Sequence, residues 1–161
     1  MPPRIYGSAE SVEQIATRII PTYHPELASA RIEYIFVDRA SQKNGRPVLG
    51  KAKRITGSTE YLIGKDFLVE VALDCWNEAS DRQREALVDH LLESCTGVED
   101  EKTGGMKWGM RTPDVQEYTS VLHRHGAWND TLADMIEVAQ RINVEARVQE
   151  VQDSEVTQGE V

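Results

Sequence analysis

Cysteine is scarce in this sequence, no long apolar run occurs, and positive charge is outnumbered; each shortage closes a class of function. The two cysteines are Cys75 and Cys95. They do not form a C-x-x-C pair, so a zinc ribbon is excluded and a dithiol redox couple is disfavoured. Core packing is the expected role of both thiols. At 161 residues the chain can bury a hydrophobic core without disulfide staples. No stretch approaches the roughly 20 apolar residues of a membrane-spanning helix. The opening residues also lack a basic-then-apolar leader pattern, so a soluble protein of a reducing cytoplasm is expected. Acidic residues number 27 against 18 basic ones, a formal net charge of −9. That balance disfavours direct binding to nucleic acid. G-x-S-x-G, P-loop and G-x-G-x-x-G patterns are all missing, which removes the commonest hydrolase and nucleotide-binding signatures.

What is present is a succession of short elements. Residues 8–20, SAESVEQIATRII, place Val12, Ile15, Ala16, Ile19 and Ile20 at helical spacing, and Pro21 is expected to end that helix. RIEYIFV (31–37), GRPVLGKAKRI (45–55) and DFLVEVAL (66–73) read as strands. Ser80 with Gln83 forms a capping box ahead of Ala86, Leu87, Val88, Leu91 and Leu92, which marks a central helix. TGVEDEKTGG (96–105) reads as a surface loop. Thr112 and Pro113 predict the start of a third helix that runs to His125, with Gly126 as its cap. A last helix is expected from about 130 to 148, on a stripe of Leu132, Met135, Ile136, Ala139 and Ile142. From 151 to 161 the composition is polar and acidic, without a core-forming pattern, and a disordered tail is expected. This order predicts an α+β domain over residues 1–150, a small three-stranded sheet packed with about four helices.

The central helix raises a chemical question. In H-E-x-x-H, histidines at i and i+4 converge on one zinc ion, and the glutamate between them takes a proton from the metal-bound water. From His90 this chain reads His90, Leu91, Leu92, Glu93, Ser94. One imidazole is present, while the base and the second imidazole are not.

Several segments together resemble one family: ARIEYIF (30–36), GRPVLGKAKRITG (45–57), REALVDH (84–90), PDVQEY (113–118) and RHGAW (124–128). On these the chain resembles the phage metallopeptidases, small zincin-like proteins of phages and prophages, over roughly residues 8–140. The resemblance implies a zincin-like fold and a zinc site. Where the family reads D-H-E-L-C-H, this chain reads DHLLES (89–94), so Leu91 stands at the general-base position and Ser94 at the second histidine. The family's downstream segment carries a histidine where Pro113 stands here, and Glu117 matches an acidic residue of that segment. Leucine cannot accept a proton, and a serine hydroxyl is a poor zinc ligand beside imidazole. Loss of the standard hydrolysis is therefore expected, with no bound cofactor. The alternative is a zinc-dependent metallopeptidase with a non-standard ligand set, His90, Glu93 and Glu117, because His90 and Glu93 share a helix face.

Other clusters carry a structural reading beside a functional one. Arg39, Lys43, Arg46, Lys51, Lys53 and Arg54 form a basic island without an acid, either a solvated strand face or a contact for an acidic partner. Trp76, Trp108 and Trp128 are expected as core anchors at element ends. His123 and His125, flanking Arg124 near a helix C-terminus, are expected in a capping role. Glu99, Asp100 and Glu101 make a negative loop tip, extended by the acidic tail. A scaffold that keeps its shape without its catalytic residues is expected to act by binding. Its partner is then a host protein with a basic surface, including a nucleic-acid-binding complex, and inhibition of a host-defence or nucleic-acid-processing protein is one use.

Overall fold

The computed structural model describes residues 2–159, apart from the side chains at 151 and 154–159. The class is α+β. The chain divides into two compact units, Met1–Thr112 and Pro113–Val161.

The first unit is built on strands β1 (Tyr6–Ser8), β2 (Ile32–Val37), β5 (Gly50–Arg54) and β6 (Phe67–Ala72), in the order β1-β2-β6-β5. β6 runs parallel to β2 and antiparallel to β5. Its sequence FLVEVA is buried at every position but one, as a central strand requires. The charge inside that run, Glu70, faces Lys51 across the β5–β6 ladder and pairs with it at 3.2 Å. Where β2 and β6 begin, Asp66 accepts from the backbone N–H of Arg31 at 2.8 Å and from its guanidinium at 2.8 and 3.2 Å. Burial alone would raise the Asp66 carboxyl, but these bonds and the Arg31 charge outweigh it and hold it below the usual carboxylate range.

Helix α1 (Glu10–Tyr23) buries Val12, Ala16 and Ile19 at i, i+4, i+7. Pro21 does not end it, contrary to the sequence expectation. It stands in the last turn, where only one helical N–H is forgone, and the helix closes with the His24 N–H on Ile20 O at 2.8 Å. β3 (Ser41–Lys43) and β4 (Arg46–Val48) form a hairpin across Asn44 (φ 53°) and Gly45 (φ 72°). Asn-Gly suits such a turn because both residues must take positive φ. The stretch read as one strand over 45–55 is thus two strands broken at Leu49. A short helix, α2 (Gly57–Ile63), precedes β6, and α3 (Leu73–Glu78) follows it.

Helix α4 (Asp81–Glu93) begins at the expected capping box: Ser80 Oγ accepts from the Gln83 N–H at 3.3 Å, and Gln83 Oε1 accepts from the Ser80 N–H at 2.9 Å. It packs on α1 and β5. The residues read as a loop contain strands instead: β7 (Cys95–Glu99) pairs with β8 (Met106–Met110), Gly97 opposite Trp108. Cys95 begins β7 and is buried in the core as expected. The core lies between the sheet and α1 with α4, where Val12, Ala16, Ile19, Phe67, Val69, Val71, Val88, Leu91 and Leu92 meet. Trp76 is buried there, and Trp108 packs edge-on against Phe67 with ring centroids 5.7 Å apart.

The second unit holds α5 (Thr119–His125) and α6 (Asp130–Gly159). α5 starts seven residues after Thr112, so Pro113 is not its first residue. Gly126, at φ 64°, closes it and donates to Leu122 O at 2.8 Å. α6 passes the expected end near 148 and reaches Gly159. The expected acidic tail, 151–161, thus overlaps α6 and ends outside the described residues at Glu160 and Val161. Trp128 is exposed rather than a core anchor; its indole donates to Glu117 Oε2 at 2.6 Å.

Candidate functional site

Three faces of α4 carry the residues in question. Leu91 lies on the inner face, 4% exposed. β5 passes so close that a Cβ placed on Gly50 would stand 2.9 Å from a Leu91 methyl and 2.9 Å from Glu70 O. The position that would hold a general base is thus a packed core position. Ser94 caps the helix, and its hydroxyl donates to Leu91 O at 2.6 Å. That hydroxyl is engaged by its own helix terminus.

His90 points elsewhere. It is exposed and borders an apolar groove of about 620 Å³ with Pro47, Leu49, Cys75, Ala86 and Leu87. Neither Leu91 nor Ser94 supplies a ligand beside it, so the residues at the expected zinc positions do not fit a zinc ion. Glu117 belongs to the second unit. Its carboxylate accepts from the Tyr118 N–H at 2.7 Å and from Trp128 Nε1 at 2.6 Å, and these bonds hold it below the usual carboxylate range.

The third face of α4 carries Asp89 and Glu93, one turn apart, and faces His24. His24 is 1% exposed. Its backbone is held at the end of α1, where its carbonyl accepts from the Leu27 N–H at 2.9 Å. Its Nε2 lies 2.7 Å from Asp89 Oδ1 and its Nδ1 3.6 Å from Glu93 Oε2. The second oxygen of Glu93 accepts from Arg111 Nη1 at 3.0 Å. Among the described residues, His24, Asp89 and Glu93 are the group of three metal-ligating side chains whose donor atoms all lie within 4.8 Å of one another. Of the residues singled out in the sequence as metal ligands, only Glu93 belongs to it. Asp89 and His24 were missed. The i, i+4 pair of carboxylates was visible in the sequence, but nothing there links it to a histidine 65 residues away.

The acidic tip is a hairpin end. Glu99 and Glu101 are exposed, while Asp100 accepts from the Lys102 N–H at 2.9 Å and pairs with Lys107 at 3.4 Å. Asp100 thus holds the turn. Burial pushes the Cys95 thiol up to about 11, and burial with the Asp74 charge raises Cys75, so neither is an activated nucleophile. No helix among the described residues is long and apolar enough to cross a membrane.

A family model described as "Putative phage metallopeptidase" matches residues 5–140. No curated protein and no solved structure matches the chain.

Proposed function

Since this chain belongs to the phage metallopeptidase family, we propose that it is a member that does not hydrolyse peptides by the zincin route and acts by binding. One observation carries this reading: the general-base position is Leu91, buried against Gly50 in the core. A methyl-lined position takes no proton from water, and a glutamate there would have to be buried. The partner is a host protein with a basic surface, engaged by the exposed carboxylates Glu99 and Glu101 and by the net charge of −9. Inhibition of a host-defence or nucleic-acid-processing protein follows as the use of such a surface, within the cytoplasm of the bacterial host.

Family membership favours one other reading, a zinc-dependent metallopeptidase with non-standard ligands, and one experiment decides between them. The purified protein is assayed for peptidase activity on an unfolded protein substrate with zinc supplied, beside His90→Ala. No cleavage above buffer is expected from either. Zinc-dependent cleavage that His90→Ala abolishes would overturn the non-catalytic reading. Binding is tested by capture of host protein at low and high salt. Charge-driven capture must weaken with salt, because screening sets in beyond about 8 Å at physiological ionic strength, and must fall in Glu99→Gln/Glu101→Gln.

A further inference from the structure

We propose that His24, Asp89 and Glu93 form a site for one first-row divalent cation, Zn²⁺ or Mn²⁺, on a different face of α4 from the positions where the family motif gathers its ligands. It does not depend on the non-catalytic reading, because an ion held here ties the end of α1 to α4 whether or not any bond is cut.

The donor set is one imidazole nitrogen and two carboxylates. Mixed nitrogen and oxygen donors suit zinc and manganese better than magnesium or calcium, which favour oxygen alone. Asp89 and Glu93 stand one turn apart on a helix fixed by its capping box. His24 is buried and its backbone is bonded on both sides, so the ring is held before any ion arrives. A preorganised donor loses little conformational freedom on binding.

A neutral imidazole has one N–H and one lone pair. His24 faces a carboxylate oxygen at each end, at 2.7 Å from Nε2 and 3.6 Å from Nδ1. An ion at one ring nitrogen would be met by both carboxylates once the half-exposed Asp89 and Glu93 side chains turn toward it, a small move for donor atoms that all lie within 4.8 Å of one another. Metal-bound histidine commonly donates its other N–H to a carboxylate. Arg111 orients Glu93 from the far side at 3.0 Å. Asp89 also borders a cleft of about 870 Å³ lined by residues of α1 and α4, which gives ion and water a way in.

The test is calorimetric titration of the full chain, stripped with a chelator, with ZnCl₂, MnCl₂ and MgCl₂ in separate runs. One saturating equivalent of zinc or manganese is expected, with magnesium weaker. Asp89→Asn and Glu93→Gln, both half-exposed and so compatible with folding, should each weaken binding by at least about 10-fold, the lower end of what loss of an outer partner costs. His90→Gln should leave affinity unchanged. Manganese should broaden the His24 ring resonances before those of His90. Absence of saturable zinc or manganese binding would overturn the proposal, as would affinity indifferent to Glu93→Gln or lost in His90→Gln. The readout is binding, so a chain without peptidase activity can pass this test, and one with activity can fail it.

Discussion

Leu91→Glu introduces the carboxylate that an H-E-x-x-H pattern read from His90 would have at this helix position, and the packing says that it should unfold the protein rather than activate it. The side chain is 4% exposed and touches the strand at Gly50. Replacing it forfeits the burial of a leucine, about 1.5–3 kcal/mol. The new carboxyl must then stay neutral in the core. At pH 7 that costs about 1.4 kcal/mol for each unit between the ordinary glutamate value and 7, or about 3.7 kcal/mol. The total, roughly 5–7 kcal/mol, rivals the whole stability of an ordinary domain, about 5–15 kcal/mol. The pH dependence has a definite sign. A carboxyl raised in the folded state binds more protons there than in the unfolded chain, so its penalty grows as pH rises and shrinks as pH falls toward the ordinary range. Between pH 7 and pH 5 the deficit relative to wild type should narrow by about 2.7 kcal/mol. Urea unfolding followed by tryptophan fluorescence and far-ultraviolet circular dichroism, at both pH values, measures it. Leu91→Met serves as control and should cost less than about 1.5 kcal/mol. A glutamate variant within about 1 kcal/mol of wild type and indifferent to pH would refute the claim that this position faces a packed core.

Three further outcomes follow from the same structure. Asp66→Asn should cost about 2–3 kcal/mol, because the Arg31 guanidinium loses a charged acceptor. Since the Asp66 carboxyl is depressed when folded, that stability is present above the ordinary carboxylate range and lost as pH falls through the folded value, so wild type and variant should converge in acid unfolding curves. Ser80→Ala removes one arm of the capping box and should lower stability by about 1 kcal/mol in denaturant titration. Cys95, buried with its thiol pushed up to about 11, should resist a disulfide-exchange reagent at pH 8 until the chain unfolds; rapid labelling of Cys95 in the native protein, located by peptide mass mapping, would contradict that burial.

The elements that announce themselves locally were legible in the sequence. Ser80 and Gln83 mark the start of α4 because a capping box is a three-residue device. β2 and β6 are rich in β-branched and aromatic residues, each with a single glutamate. The β7–β8 hairpin was not legible, because Gly97 and Glu99 have little strand preference of their own and are held by pairing with Trp108 and Met106 across the turn. Pro21 misled because proline in a last turn is tolerated where one in mid-helix is not. The motif frame placed His90 and Glu93 on a helix correctly, but their surroundings depend on what packs against each face. His24 stood unnoticed between Tyr23 and Pro25, since only the fold brings it to Asp89.

Strand β5 closes one margin of the sheet, and its backbone on that side has no strand beside it among the described residues. Lys51, Lys53 and Arg54 stand along this border, with Lys51 on Glu70 and Arg54 donating to Trp108 O. An unguarded border invites a second molecule to extend the ladder, and lysine is a common deterrent. Two copies meeting there would press ammonium against ammonium. Lys51, Lys53 and Arg54, the part of the basic island that lies on β5, thereby disfavour edge-to-edge pairing of two copies, a consequence that involves no ligand.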